Sequence, residues 1–76
     1  MKRGNEKMKL YEFVKALMPE QKIIVIDYYN DKLYLRKNAS SASYLLEYNE
    51  ELRDSNIHLI EIDIYNSAII IHVRKG

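Results

Sequence analysis

The stretch LIEIDIYNSAIIIHVR, residues 59–74, decides the fold of this chain of 76 residues. Isoleucines alternate with acidic residues before Asn66-Ser67, and a second apolar run follows that pair. Alternation with a period of two is typical of β-strands that bury one face. A two-residue turn at Asn66-Ser67 pairs Ile62 with Ile71, so the sequence predicts a hairpin with one apolar face. That face carries Ile60, Ile62, Ile64, Ile69, Ile71 and Val73.

A second hairpin is predicted earlier in the chain, around Asn30-Asp31. The flanking runs are residues 22–29 and 32–37, and Asn and Asp tolerate the positive φ of a tight turn. Pairing Tyr29 with Lys32 places one row of side chains toward the core: Ile24, Ile26, Tyr28, Leu33 and Leu35. The opposite row faces away from the core: Ile23, Val25, Asp27, Tyr29, Lys32, Tyr34 and Arg36.

A helix is predicted before each hairpin. Helical spacing of apolar residues favours a first helix from Lys9 to Leu17 or Met18, and Pro19 ends it because proline lacks a backbone N–H donor. The segment 38–43 is rich in serine and supplies an N-cap for a second, short helix. The apolar stripe is Leu10, Phe13, Val14, Leu17 and Met18 in the first helix, and Tyr44, Leu45, Tyr48 and Leu52 in the second.

These elements predict an α+β domain in the order α-β-β-α-β-β. Two β-hairpins form a four-stranded, mainly antiparallel sheet, and two short helices cover one face of that sheet. We expect a single domain over residues 9–75, after a flexible N-terminal lead-in over residues 1–8 that offers little apolar anchorage. The pattern leaves the order of the strands open.

Composition narrows the class of protein. The chain has no cysteine, no apolar stretch long enough to span a membrane, and no signal-peptide pattern. These features predict a cytoplasmic protein without a membrane partner. The net charge of +1 gives no general attraction to nucleic acid.

The residues that carry chemistry do not indicate an enzyme. The predicted register places His72 opposite Glu61 on the polar face, whereas His58 points to the other face, so the two histidines cannot share a metal ion. The two glycines, Gly4 and Gly76, lie at the chain ends and exclude a phosphate-binding loop. We therefore predict no catalytic residue, no metal and no cofactor.

The outer face of the sheet is the candidate binding surface. Apolar and aromatic side chains turned away from the helices favour a dimer interface, a docking surface for another protein, or a segment of the chain folded across them. The leading hypothesis is a non-enzymatic protein–protein interaction module that forms a homo-oligomer or binds another protein. The predicted contact residues are Ile23, Val25, Tyr29, Lys32, Tyr34, Arg36 and Ile70.

A second hypothesis is that the first hairpin binds single-stranded nucleic acid. Tyrosines on a sheet can stack on bases while neighbouring cations contact the phosphates. The residues for this role are Tyr29, Lys32, Tyr34, Arg36 and Lys37.

The layout of the chain resembles small proteins found in phages and prophages of Firmicutes. The resemblance rests on Leu10-Tyr11-Glu12-Phe13-Val14, a strand that ends at Ile26-Asp27, a short helix and the closing isoleucine-rich hairpin, and it extends from Met8 to Lys75. No activity is established for that group, so no functional residue is transferred. The resemblance implies a mobile-element origin, in which inhibitors that cover a surface of a host defence or metabolic protein are common.

Overall fold

The computed structural model describes residues 8–75 and shows an α+β domain with three short helices and a four-stranded sheet. The predicted α+β class is confirmed, although three helices stand where two were predicted. The predicted lead-in lies outside the described residues except for Met8, whose carbonyl accepts a hydrogen bond from the N–H of Ile57 at 2.9 Å. The elements are α1 (Leu10–Lys15), β1 (Lys22–Asp27), β2 (Leu33–Asn38), α2 (Ala39–Glu47), α3 (Glu50–Arg53), β3 (Asn56–Asp63) and β4 (Ala68–Arg74).

The sheet is mixed, with the strand order β2-β1-β4-β3. Strands β1 and β2 pair antiparallel, as do β3 and β4, and the two hairpins meet through a parallel pairing of β1 with β4. The chain leaves β2 at one edge of the sheet and enters β3 at the other, through α2 and α3. Because β2 and β3 run in the same direction, their connection must cross the sheet, and this crossing brings the helices over one face.

Both hairpins close with the same four-residue turn. An aspartate at the end of the first strand, Asp27 or Asp63, accepts the N–H groups two and three residues later at 2.9 to 3.2 Å. The residue four positions after each aspartate has a positive φ, 59° at Asp31 and 53° at Ser67. The two-residue turns predicted from the sequence are therefore wrong, because the aspartate side chain stabilises a longer loop. The repeated pattern is Ile-Asp-x-Tyr-Asn, at residues 26–30 and 62–66, and sequence reasoning missed it.

The longer turn shifts the pairing of the closing hairpin by two residues. Ile62 pairs with Ile69, and Ile60 pairs with Ile71. A shift of two preserves the alternation of faces, so five residues of the predicted row do share one face although their predicted partners are wrong: Ile60, Ile62, Ile69, Ile71 and Val73. The sixth, Ile64, lies in the turn. The helices cover the β4 half of this row, whereas Ile62 on the edge strand β3 is 64 % exposed.

The faces of β1 are opposite to those predicted, whereas Leu35 and Arg36 on β2 lie on their predicted faces. Ile23 and Val25 are fully buried beneath the helices, so their predicted place on the outer face is wrong. A β-bulge at Tyr34 pairs Leu35 with Val25, and it leaves Leu33 opposite Ile26. Leu33 and Leu35 therefore lie on opposite faces of the sheet, because a bulge inserts one extra residue into the alternation.

The core lies between this face of the sheet and the helices. Helix α2 contributes Ala39, Ala42 and Leu46, whose spacing places them on one side of the helix. Tyr44 and Tyr48, predicted to face the core, are instead 63 and 75 % exposed. The small alanines allow α2 to lie close to the sheet, and the tyrosines are turned to solvent. The remaining buried apolar residues are Leu10, Val14, Ile23, Val25, Leu52, Ile71 and Val73.

Helix α2 begins earlier than predicted because Asn38, not a serine, is its N-cap. The Asn38 Oδ1 atom accepts the N–H of Ser41 at 3.1 Å. We expect Asn38→Ala to lower the free energy of unfolding by about 1 kcal/mol, since one backbone donor of the first turn loses its partner. Urea titration followed by circular dichroism measures this change. Ser41→Ala, which keeps the backbone N–H that Asn38 accepts, is the control, and an equal loss in both variants would contradict the capping role.

Candidate interaction surface

The sheet face opposite the helices, here called the uncovered face, has no element packed on it among residues 8–75. The strand registers place its side chains in rows that cross the whole sheet. Arg36 pairs with Ile24, Ile24 with Ile70, and Ile70 with Glu61. This row has a cation at the β2 edge, two isoleucines at the centre and a carboxylate at the β3 edge.

The next row of the uncovered face is more apolar. It runs from Leu33 through Ile26 and His72 to Leu59. Leu33 and Leu59 are 49 and 44 % exposed, and Ile26 is half-buried by its neighbours. Together, the two rows place five apolar side chains next to one another on an open surface.

The predicted side-chain contact of His72 with Glu61 is confirmed, but the predicted strand pairing is wrong, because His72 pairs with Leu59 and Glu61 pairs with Ile70. The His72 Nε2 atom lies 2.7 Å from Glu61 Oε1 on the uncovered face. His58 lies at a bulge between Ile57 and Leu59, and its ring contacts the ring of Tyr28, with 3.8 Å between the ring centres. The position of His58 could not be read from alternation, because the bulge interrupts it.

Tyr29 and Lys32, two of the predicted contact residues, lie in the turn between β1 and β2. Both are exposed, and the Arg74 guanidinium lies 5.8 Å from the centre of the Tyr29 ring. This end of the molecule therefore combines an aromatic ring with two cations. A contact role for Tyr29 and Lys32 stays a prediction.

Tyr34 is not available as an open contact residue. Its ring packs against the core, and its hydroxyl donates a hydrogen bond to Asp27 Oδ1 at 3.0 Å. Burial raises the pKa of the Tyr34 hydroxyl, and the hydrogen bond to Asp27 raises it further. The pKa of the Asp27 carboxyl is lowered, chiefly by the N–H of Asn30 and also by the donors of Tyr34 and Tyr29. This pair therefore stabilises the turn and the bulge.

An open groove of about 510 Å³ lies at the end of the uncovered face where β1 begins. Lys22, Arg36 and Lys37 border it together with Glu20, and all four side chains are exposed. Three cations against one carboxylate give the groove a positive potential. These four side chains are exposed, and an exposed charge in water contributes little to the binding of a ligand.

Two further findings concern metal binding and membrane insertion. Among the described residues, no three His, Cys, Asp or Glu side chains come together in an arrangement that could hold a metal ion. Within the same part of the chain, every helix is too short or too polar to cross a membrane.

The structure divides the predicted contact residues into three groups. Ile23, Val25 and Tyr34 belong to the core, Tyr29 and Lys32 lie in the turn, and Arg36 and Ile70 share one row of the uncovered face. Sequence reasoning missed Ile24, Ile26 and Leu33 as residues of this face. Strand β1 carried no signal that could have found Ile24 and Ile26, because its apolar residues occupy both faces, and the bulge at Tyr34 places Leu33 on the face opposite to the predicted one.

The chain matches no protein-family model, no curated protein and no solved structure. Its function must therefore be inferred from the geometry of the uncovered face.

Proposed function

We propose that this protein is a non-enzymatic protein-interaction module that binds its partner through the uncovered face. The observation that carries the proposal is a group of five apolar side chains in two neighbouring rows, here called the apolar centre. One of these rows ends in Arg36 at the β2 edge and Glu61 at the β3 edge. Protein interfaces have this anatomy, with an apolar centre that excludes water and a polar rim. The centre consists of Ile24, Ile26, Leu33, Leu59 and Ile70.

A protein partner fits this face better than a nucleic acid does. Glu61 and Asp63 lie at its β3 edge, and carboxylates repel phosphate groups. The predicted stacking platform is divided, because the Tyr34 hydroxyl is held by Asp27 and Tyr29 lies in the turn. The basic groove is a narrow region at one end and does not extend across the apolar centre.

The proposed setting is the cytoplasm of a host cell. In the mobile-element origin that the resemblance implies, a small domain with one open sheet face suits an inhibitor that covers a surface of a host protein. Shape and apolar contact give such a complex its affinity, and the charged rim gives it orientation.

The double variant Leu33→Lys, Leu59→Lys is expected to lose its partner. Two ammonium groups at the apolar centre would have to be desolvated in the complex, which we expect to reduce capture by about tenfold or more. Both leucines are partly exposed, so the domain should stay folded by circular dichroism. The measurement is quantitative mass spectrometry of proteins captured from a host lysate that also contains untagged copies of this chain.

The matched control is the double variant Ile62→Lys, Ile64→Lys. These isoleucines are also exposed on β3 and the turn that follows it, and Ile62 lies on the helix side of the sheet. We expect the control to capture the same proteins as the unmodified chain. Equal losses in both double variants, or none in either, would contradict the role of the uncovered face.

A further inference from the structure

The uncovered face is complementary to itself. Its central row begins with the cation Arg36 on β2 and ends with the carboxylate Glu61 on β3. Such a face is positive at one edge and negative at the other. It therefore matches a second copy that is rotated by a half turn about an axis parallel to the strands, because the positive edge of each copy then lies over the negative edge of the other. Two-fold symmetric interfaces require this kind of self-complementarity.

A two-fold axis parallel to the strands produces the match. This axis places β2 of one copy over β3 of the second copy, and β1 over β4. Arg36 then faces Glu61 of the second copy, Ile24 faces Ile70, and Leu33 faces Leu59, because each pair occupies one row. Aligned sheet packing of this kind is common in β-sandwiches, where the strands of the two sheets cross at about 30°.

A two-fold axis that lies in the plane of the interface and perpendicular to the strands gives a poorer match of charges. When it is centred on the same row, Arg36 lies over Arg36 of the second copy, and Glu61 lies over its own counterpart. Like charges placed opposite each other in an interface disfavour association. The distribution of charge therefore selects the axis parallel to the strands.

We propose that the partner of the uncovered face is a second copy of this chain, bound around a two-fold axis parallel to the strands. The proposal rests on the proposed function, and it names the occupant of that surface. The face measures about 14 by 20 Å, from strand spacings of about 4.8 Å and two-residue steps of about 6.8 Å. This footprint of roughly 280 Å² per copy is well below the roughly 800 Å² per partner of a standard interface, so the dimer is expected to be weak and to dissociate in about the high-micromolar to millimolar range.

Two charge-reversal variants, measured alone and as a mixture, test the dimer. Arg36→Glu places two carboxylates opposite each other in the symmetric dimer, and Glu61→Arg places two guanidinium groups opposite each other. We expect each variant alone to raise the dissociation constant by about tenfold or more. An equimolar mixture should form heterodimers at nearly the original affinity, because both cross-interface pairs are then of opposite charge. Sedimentation velocity from 1 µM to 1 mM, on the order of the expected dissociation constant, measures all three samples.

Rescue by mixing separates the proposed interface from a local effect of either substitution. Glu61→Arg also removes the contact with His72, but a change within one chain cannot be repaired by adding the other variant. Lys15→Glu, an equal change of charge on the exposed side of α1, is the control and should leave dimerisation unchanged.

A monomer over the whole concentration range would overturn the dimer, and so would a mixture that does not recover affinity. Neither result decides the proposed function, which the capture experiment tests separately. If the variant Leu33→Lys, Leu59→Lys no longer captures a host protein, the uncovered face is still supported as the binding surface. If that variant loses neither a host protein nor the untagged chain, the proposed function fails as well.

Discussion

Val25→Lys is expected to unfold the domain, whereas Ile24→Lys should leave it folded. Val25 is fully buried between β1 and the helices, where a lysine ammonium would have neither water nor a partner. Ile24 is half-buried on the uncovered face, and a lysine there can extend its ammonium into solvent. Val25→Lys should lower the free energy of unfolding by more than about 4 kcal/mol, which is a large fraction of the total stability of a small domain.

Far-ultraviolet circular dichroism and thermal unfolding distinguish these two variants. The pair Ile71→Lys and Ile70→Lys repeats the comparison on β4, where Ile71 is fully buried and Ile70 lies on the uncovered face. The opposite result, with a folded Val25→Lys and an unfolded Ile24→Lys, would restore the face assignment predicted from the sequence.

Asp27→Ala is expected to have the second largest effect on stability. The buried Asp27 carboxylate holds two backbone donors of the turn and the Tyr34 hydroxyl at the bulge. Its removal leaves these groups without their acceptor, and we expect the midpoint of thermal unfolding to fall by roughly 5 to 10 °C.

Asp63→Ala is the matched control, because Asp63 occupies the same place in the second copy of the Ile-Asp-x-Tyr-Asn pattern. Asp63 holds the corresponding backbone donors and the Asn66 side chain at the surface, with no tyrosine hydroxyl. We expect the midpoint of thermal unfolding, measured by differential scanning calorimetry, to fall clearly less in Asp63→Ala than in Asp27→Ala. Equal decreases would mean that the Tyr34 contact adds nothing to the turn.

The contribution of Asp27 to the stability of the folded protein should depend on pH. Its pKa is lower in the folded protein than in the unfolded chain, so the ionised carboxylate stabilises the fold above the unfolded pKa of about 3.9. This contribution is lost as the pH falls through the folded pKa. The difference in unfolding midpoint between the unmodified chain and Asp27→Ala should therefore be constant near pH 7 and shrink below about pH 4. A difference that grows on acidification would contradict this account.

The candidate site was only partly predictable. Ile70 was placed correctly on the uncovered face, because it alternates with Ile69 and Ile71 on the helix side. Arg36 was placed on the correct face, although its predicted register against β1 was wrong. Ile23 and Val25 were exchanged with Ile24 and Ile26, because the four residues are of nearly equal hydrophobicity. A central strand with apolar residues on both faces carries no period-two signal that identifies its buried side.

The sequence by itself determined the α+β class, the two hairpins, the shared isoleucine face and the placement of His72 and Glu61 on one face. These features follow from local periodicity and turn chemistry, which act between residues close in the chain or joined by one hairpin. Only the tertiary structure decided the parallel pairing of β1 with β4, the buried face of β1 and the rows of the uncovered face. Those features depend on contacts between segments about 46 residues apart, such as Lys22 with Ala68, and on the side of the sheet where the helices pack.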